Sequence, residues 1–186
     1  MRITGGQYRG RSVTPFNIPG VRPSKAMVRE AVFSILGPDT CRDICVADLF
    51  SGSGIMAIES YSRGASSVYC VDSDLRSCQL IRDNLTKLGI SYGNTIFHSS
   101  AAQAMNSFAS LGLKFDLIFL DPPYAQPVLG LRALNLASEK GLLKTETVVV
   151  FEHQRKTELP RPNAMRIWKE RNYGRTQLTF YIPDQA

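Results

Sequence analysis

Residues 44–57 read Ile44-Cys45-Val46-Ala47-Asp48-Leu49-Phe50-Ser51-Gly52-Ser53-Gly54-Ile55-Met56-Ala57, and this stretch decides the fold. Ile44 to Phe50 is a short, nearly continuous apolar run, the pattern of a strand buried on both faces. A glycine-rich turn follows, and Ile55 to Arg63 reads as a helix stopped by Gly64. Ser67 to Val71 is the next strand, ending at Asp72. A buried strand, a tight turn, a helix and a second strand make one unit of a mostly parallel sheet.

Outward from this unit the alternation continues. Leu75 to Leu88 places Leu75, Cys78, Ile81, Leu85 and Leu88 on one helical face, with Gly89 as its stop. Thr95-Ile96-Phe97 is a short strand and Ala101 to Leu111 a helix. Phe115 to Leu120 is the strongest strand, followed by a loop and a helix near Val128–Lys140. Thr147 to Phe151 is the fifth strand. Ala164–Glu170 and Thr176–Ile182, with no helix between them, predict a closing antiparallel hairpin. The expected fold is α/β: seven strands, mostly parallel, with an antiparallel C-terminal hairpin and helices on both faces. At the front, residues 1–23 are rich in Gly, Arg and Pro and read as a basic arm or small hairpin before a domain spanning 24–186. Ser24 is placed to cap a helix running to Leu36, ended by Gly37-Pro38.

Composition narrows the functional classes. A chain of 186 residues with 44% hydrophobic and 20% charged residues suits one globular domain and excludes disordered and collagen-like classes. No run approaches the roughly 20 apolar residues of a membrane-spanning helix, and no secretory signal is visible, so a soluble cytoplasmic protein is expected. Cys41, Cys45, Cys70 and Cys78 form no C-x-x-C pair, and neither His98 nor His153 has a zinc spacing. Reduced, mostly buried thiols and no metal are expected. The formal charge of +6 is unevenly placed. Residues 1–42 hold seven Lys/Arg against two Asp/Glu, a net of +5, and residues 152–175 hold seven against three, a net of +4. Two basic flanks around a mildly acidic middle point toward a phosphate-bearing partner.

The chemistry gathers at strand ends. Gly52 and Gly54 let backbone approach a ligand in the crevice where open α/β sheets bind, and Asp72 closes the following strand where a carboxylate can take both ribose hydroxyls. Gly52-Ser53-Gly54-Ile55-Met56-Ala57 also fits the dinucleotide fingerprint, so an NAD-dependent oxidoreductase remains open. Asp48 points the other way, because a carboxylate there repels a pyrophosphate and welcomes an ammonium group such as that of S-adenosylmethionine. Asp121-Pro122-Pro123-Tyr124 follows the strongest strand and so lies on the same sheet edge. Two prolines stiffen this loop. The Asp121 carboxylate and the Pro122 carbonyl can both accept from an exocyclic amino group of a base and favour the charge that develops on attack. Tyr124 can stack on the base and hold it in line. Glu152-His153 ends the fifth strand, where it can line the substrate mouth or finish a sheet edge, the second being favoured. His98 reads as a strand-end residue. Trp168 and Tyr173 can stack on RNA, with a core place favoured for Trp168.

DLFSGSG, the acid in VDSD and DPPY together resemble the class I S-adenosylmethionine-dependent methyltransferases that modify amino groups of bases. Gly5-Gly6-Gln7-Tyr8-Arg9-Gly10-Arg11, Arg22-Pro23-Ser24, Val28-Arg29-Glu30-Ala31-Val32-Phe33 and Glu59-Ser60-Tyr61-Ser62-Arg63-Gly64-Ala65 narrow the resemblance, nearly end to end, to the RsmD family of small-subunit (16S) ribosomal RNA guanine-N2 methyltransferases. The resemblance implies a Rossmann-like methyltransferase fold with S-adenosylmethionine as cofactor, cradled by Asp48, Phe50, Gly52 and Gly54. It puts Asp72 on the ribose and Ser100 near the adenine. It gives the target guanine to Asp121, Pro122 and Tyr124, and makes Arg9, Arg11, Arg22 and Arg29 RNA contacts. It also implies 16S rRNA as substrate, within the small subunit or an assembly intermediate, and a monomer is expected. Two departures stand out: Ala26 occupies about the place of a usual acidic residue, and Phe50-Ser51-Gly52 replaces the commoner F-A-G. A DNA adenine- or cytosine-amino methyltransferase is the nearest rival, although 186 residues leave little room for a domain that reads DNA sequence. A non-catalytic RNA-binding protein is a third reading, opposed by the intact DPPY.

Overall fold

The computed structural model describes residues 1–15 and 26–184. Within them, helix α1 (Ala26–Leu36) precedes a regular alternation of strands and helices. These are β1 (Cys45–Asp48), α2 (Ile55–Ser62), β2 (Ser67–Asp72), α3 (Leu75–Leu88), β3 (Ile96–His98), α4 (Ala101–Ser110), β4 (Phe115–Leu120) and α5 (Val128–Glu139). The chain then runs through β5 (Leu143–Gln154), β6 (Met165–Tyr173) and β7 (Thr176–Pro183). The sheet order is β3-β2-β1-β4-β5-β7-β6. The first five strands are parallel, and β7 enters antiparallel between β5 and β6. The chain winds outward from β1 through β2 to β3, then returns to lay β4 on the other side of β1. That reversal opens a crevice at the carboxyl ends of β1 and β4.

Each element forms for local reasons. The periodic apolar face of α3 begins after Asp74, whose side chain accepts from Arg76 N at 2.8 Å, and ends where Gly89 takes φ 73°. Leu75, expected on the buried face, is 59% exposed, because in the first turn its side chain leans off the helix end instead of onto the sheet. Apolar residues fill both sheet faces. One core joins Val28, Val32 and Phe33 of α1 to Ile81 and Leu85 of α3, and the other joins Phe108, Phe115 and Leu134.

The chain's first residues form a small hairpin, with Arg2 bridged to Ser12 and Ile3 and Val13 buried in the α1-side core. A polar latch holds it there. Glu59 of α2 is fully buried and accepts from Thr4 N at 2.8 Å and Thr4 Oγ1 at 3.0 Å. Its carboxylate also pairs with the Arg29 and Arg63 guanidiniums, and Arg63 lies over the Phe33 ring. The expected Ser24 cap and the boundary between residues 23 and 24 lie outside the described residues.

The C-terminal part differs from the sequence reading in three ways. The fifth strand begins at Leu143, not Thr147, and shifts register against β4 between Leu143 and Val148. It is interior, flanked by β4 and β7, so Glu152 and His153 are not at a sheet edge. Trp168 is 45% exposed instead of buried. A bulge between Ile167 and Lys169 makes it an extra residue of β6, turned toward solvent with only its edge against Phe180.

Candidate active site

The glycine turn and the DPPY loop leave adjacent strands. Asp48, last residue of β1, pairs in register with Phe119 of β4, two positions before Asp121. Both motifs therefore open onto the crevice at the sheet's reversal point. Gly52 and Gly54 have positive φ, 52° and 75°, and a Cβ added at Gly52 would meet nothing within 4 Å. Open space beside a strained turn that only glycine adopts easily is a cradle for a ligand. Phe50 is half-buried beside it, against the α4-side core.

Two carboxylates face this cradle in different states. Asp72 Oδ2 accepts from Gly52 N at 2.8 Å and its Oδ1 from Asp74 N at 2.9 Å, so it both braces the turn and keeps lone pairs for donors. Asp48 is 3% exposed, and its Oδ2 has no hydrogen-bond partner among the described residues. Burial, reinforced by the charge of Asp72, pushes its carboxyl from 3.8 up to about 7. A buried acceptor in that condition fits a cationic donor and opposes a pyrophosphate.

Ser100 caps α4 in a reciprocal box with Gln103, accepting from Gln103 N at 3.3 Å and donating to Gln103 Oε1 at 2.8 Å. Its neighbour Ser99 has a buried hydroxyl without a partner among the described residues, while Ser99 N donates to Asp72 O at 3.1 Å. Nothing in the sequence distinguishes these two serines. The cap requirement of α4 does.

In the DPPY loop Asp121 is half-buried, Pro122 buried and Tyr124 38% exposed. The Tyr124 hydroxyl lies 2.8 Å from Thr176 Oγ1 and donates to Glu152 Oε1 at 3.4 Å, which ties the loop to β5 and β7. Burial raises the Glu152 carboxyl above the ordinary carboxylate range, opposed by the bond from Tyr124. Glu152 therefore belongs to the rim of the site and not to a sheet edge. His153 points to the other face and bonds Thr179 Oγ1 at 2.9 Å, and His98 ends β3 as expected.

Two further residues position the site. Gly130 of α5 lies against the DPPY loop, where a Cβ would come within 2.8 Å of Phe151 Cζ and 3.1 Å of Pro122 Cγ. Asn84 of α3 is buried, accepts from Thr14 N at 2.9 Å, and donates to Thr14 O and Ser53 O, each at 3.0 Å. One amide thus joins the N-terminal hairpin to the glycine turn. A glycine in an otherwise ordinary helix and an asparagine within a helical run carry no signal until tertiary packing gives them neighbours.

The arginines divide. Arg9 is exposed on the hairpin. Arg11 is exposed, but its guanidinium donates to Leu88 O and Lys87 O at 3.2 Å, closing the carboxyl end of α3. Arg22 lies outside the described residues. Arg29 corrects the sequence reading: it is 2% exposed, 3.5 Å from Glu59 and bonded to Arg2 O at 3.0 Å. It is a buried strut of the hairpin latch. No cluster of His, Cys, Asp or Glu able to hold a metal occurs among the described residues, and no helix there is long and apolar enough to cross a membrane.

The chain is similar to known proteins along nearly its whole length. YlbH of Bacillus subtilis is 33% identical over 184 residues, covering 97% of this chain and 98% of that one. Ribosomal RNA small subunit methyltransferase D of Escherichia coli K12 is 31% identical over 182 residues, 97% of this chain and 89% of that one. The solved structure of yhhF from Escherichia coli superposes with a TM-score of 0.81 at 26% identity, covering 99% of this chain and 98% of that one. The family described as "Conserved hypothetical protein 95" matches residues 1–182. With the hairpin, the crevice and the closing strands all inside that match, the chain belongs to this family, that of ribosomal RNA small subunit methyltransferase D.

Proposed function

We propose that the protein transfers a methyl group from S-adenosylmethionine to the exocyclic N2 of one guanine in small-subunit (16S) ribosomal RNA. The observation that carries this reading is the meeting, at the ends of adjacent strands, of a buried carboxylate oxygen that has no hydrogen-bond partner among the described residues and the DPPY loop. When bound, the cofactor supplies a methyl group on a positively charged sulfur, so the chain's own task is binding, orientation and charge. Asp48 takes the ammonium of the amino-acid end, and the Gly52–Gly54 turn and Phe50 give it room. Asp72 accepts from the ribose hydroxyls, and Ser100 stands at the adenine end.

On the opposite wall, Asp121 and the Pro122 carbonyl accept the two N–H bonds of the guanine amino group. Those acceptors draw the nitrogen lone pair out of conjugation and stabilise its developing positive charge. Tyr124, held by Thr176 and Glu152, fixes the plane of the base. A bound cofactor would supply the methyl carbon, the proton of the attacking nitrogen would pass to solvent, and no covalent bond to the enzyme is needed. We take the protein to act as a cytoplasmic monomer on the RNA within the small subunit or an assembly intermediate, with Arg9 and Arg11 on the RNA side.

Labelled S-adenosylmethionine offered with small subunits from a strain lacking the homologous enzyme, with the same RNA stripped of protein, and with duplex DNA tests the reading. N2-methylguanosine from the subunit or its RNA is expected. Methyladenine or methylcytosine in DNA overturns the substrate. Asp121→Ala is expected to abolish transfer while leaving S-adenosylhomocysteine affinity within about twofold, and a variant that methylates normally removes the role given to that carboxylate.

A further inference from the structure

The edge strand β6 carries a stripe that the site does not use. In antiparallel pairing, residues directly opposite one another share a sheet face. Thr176, Leu178, Phe180 and Ile182 of β7 therefore share a face with Tyr173, Arg171, Lys169 and Arg166 of β6. Leu178 and Phe180 belong to the core that contains α1, so this is the α1 side of the sheet. Tyr124 reaches the same side, because its hydroxyl meets Thr176 and Glu152, and Glu152 pairs with Leu178. The stripe thus runs along the sheet edge toward the DPPY loop.

Its chemistry is that of a nucleic-acid contact. Trp168, at the β6 bulge, is 45% exposed, with its ring centroid 5.9 Å from that of Phe180, the two rings nearly perpendicular, and the Lys169 ammonium 5.7 Å from its own centroid. Arg166, Lys169 and Arg171 make no ion pair among the described residues. Glu170, the acid within the stripe's sequence, turns to the opposite face, where its carboxylate accepts from Gln177 at 2.9 Å and Thr179 at 3.2 Å. What remains on the α1 side is an exposed indole among three uncompensated cations.

We infer that this face of β6 is a platform for a single-stranded segment of the RNA substrate, with Trp168 stacked on an unpaired base and Arg166, Lys169 and Arg171 on flanking phosphates. Aromatic stacking within a basic track is how unpaired strands are held, and unpaired bases are where RNA is read. The platform takes its substrate class from the function proposed above and assigns residues to the second basic flank of the sequence. It leads the strand toward Tyr124, so it raises the chance that the target base enters the crevice without touching the reacting atoms.

Trp168 is the chain's single tryptophan, so fluorescence excited at the red edge of absorption, beyond that of the seven tyrosines, reports this residue. Titration with protein-free small-subunit ribosomal RNA is expected to quench that fluorescence. Trp168→Leu should bind the RNA on the order of tenfold more weakly. Lys169→Gln and Arg171→Gln should each weaken binding and lower the slope of log affinity against log salt by about 0.7. All three should keep wild-type S-adenosylhomocysteine affinity and melting behaviour, and regain wild-type turnover at saturating RNA. Unquenched fluorescence on RNA binding, or wild-type affinity and salt slope in the variants, overturns the platform. So does a dimer in sedimentation that Trp168→Leu dissolves, since the face would then serve self-association. A wild-type protein that binds this RNA but never methylates it defeats the proposed function instead, while quenching and variant affinities still decide the platform.

Discussion

Replacing Asp48 by Asn separates the stability of the empty fold from the binding of its ligand. The carboxyl is 3% exposed, its Oδ2 has no hydrogen-bond partner among the described residues, and it is pushed from 3.8 up to about 7. At about 1.4 kcal/mol per pH unit, that rise amounts to about 4 kcal/mol of lost stability once the group is ionised in both states. Between about pH 4 and 7 the folded carboxyl holds its proton and the unfolded one does not, so wild-type stability falls as pH rises through that window. Asn keeps the volume and removes the charge, but its amide nitrogen has no acceptor, which takes back about 1–3 kcal/mol. The variant should therefore be more stable than wild type by about 1–3 kcal/mol at pH 8, with little difference at pH 5. Loss of a charge-assisted contact to the ligand's ammonium should weaken S-adenosylhomocysteine binding about 10- to 100-fold. Urea unfolding at both pH values and titration calorimetry read the two effects. An Asp48→Asn protein no more stable than wild type at pH 8, or one that binds S-adenosylhomocysteine at wild-type affinity, refutes the argument.

Glu59→Gln leaves two guanidiniums, Arg29 and Arg63, around a buried neutral amide, and denaturant unfolding should show a loss of about 3 kcal/mol or more. Gly130→Ala drives a methyl group against Phe151 and Pro122, so melting should drop by an amount equivalent to about 1–3 kcal/mol and turnover should fall more than cofactor affinity. Tyr124→Phe keeps the ring but frees it from Thr176 and Glu152. Steady-state kinetics should then show turnover reduced about tenfold with S-adenosylhomocysteine affinity unchanged, and an unaltered turnover would deny the hydroxyl its positioning role.

Much of the fold was legible because local and tertiary demands coincide there. The helix from Leu75 to Leu88 announces itself by an apolar stripe and a terminal glycine, and the structure forms it with those bounds. Phe115 to Leu120 is apolar enough to be strand only in a sheet covered on both faces, and so it is. The crevice was legible for the same reason: Gly52, Asp72 and Asp121 all follow strands, and parallel strands bring their carboxyl ends to one edge.

Other features depend on neighbours that linear order does not reveal. Arg29 carries the same charge as Arg9, yet Glu59, thirty positions later, draws it into the core. Trp168 has the composition of a core residue, but it stands on the edge strand β6, where its ring meets Phe180 and still keeps 45% of its surface in solvent. Glu152 looked like a strand end, and only the insertion of β7 beside β5 brings Thr176 and Tyr124 to it. The sequence by itself determined the order of elements, the βαβ winding and the motifs at the strand ends, since these follow from periodicity and turn chemistry over a few residues. The tertiary structure alone decided which charges are buried and paired and which face solvent, because burial and Coulomb partners are properties of the packed chain.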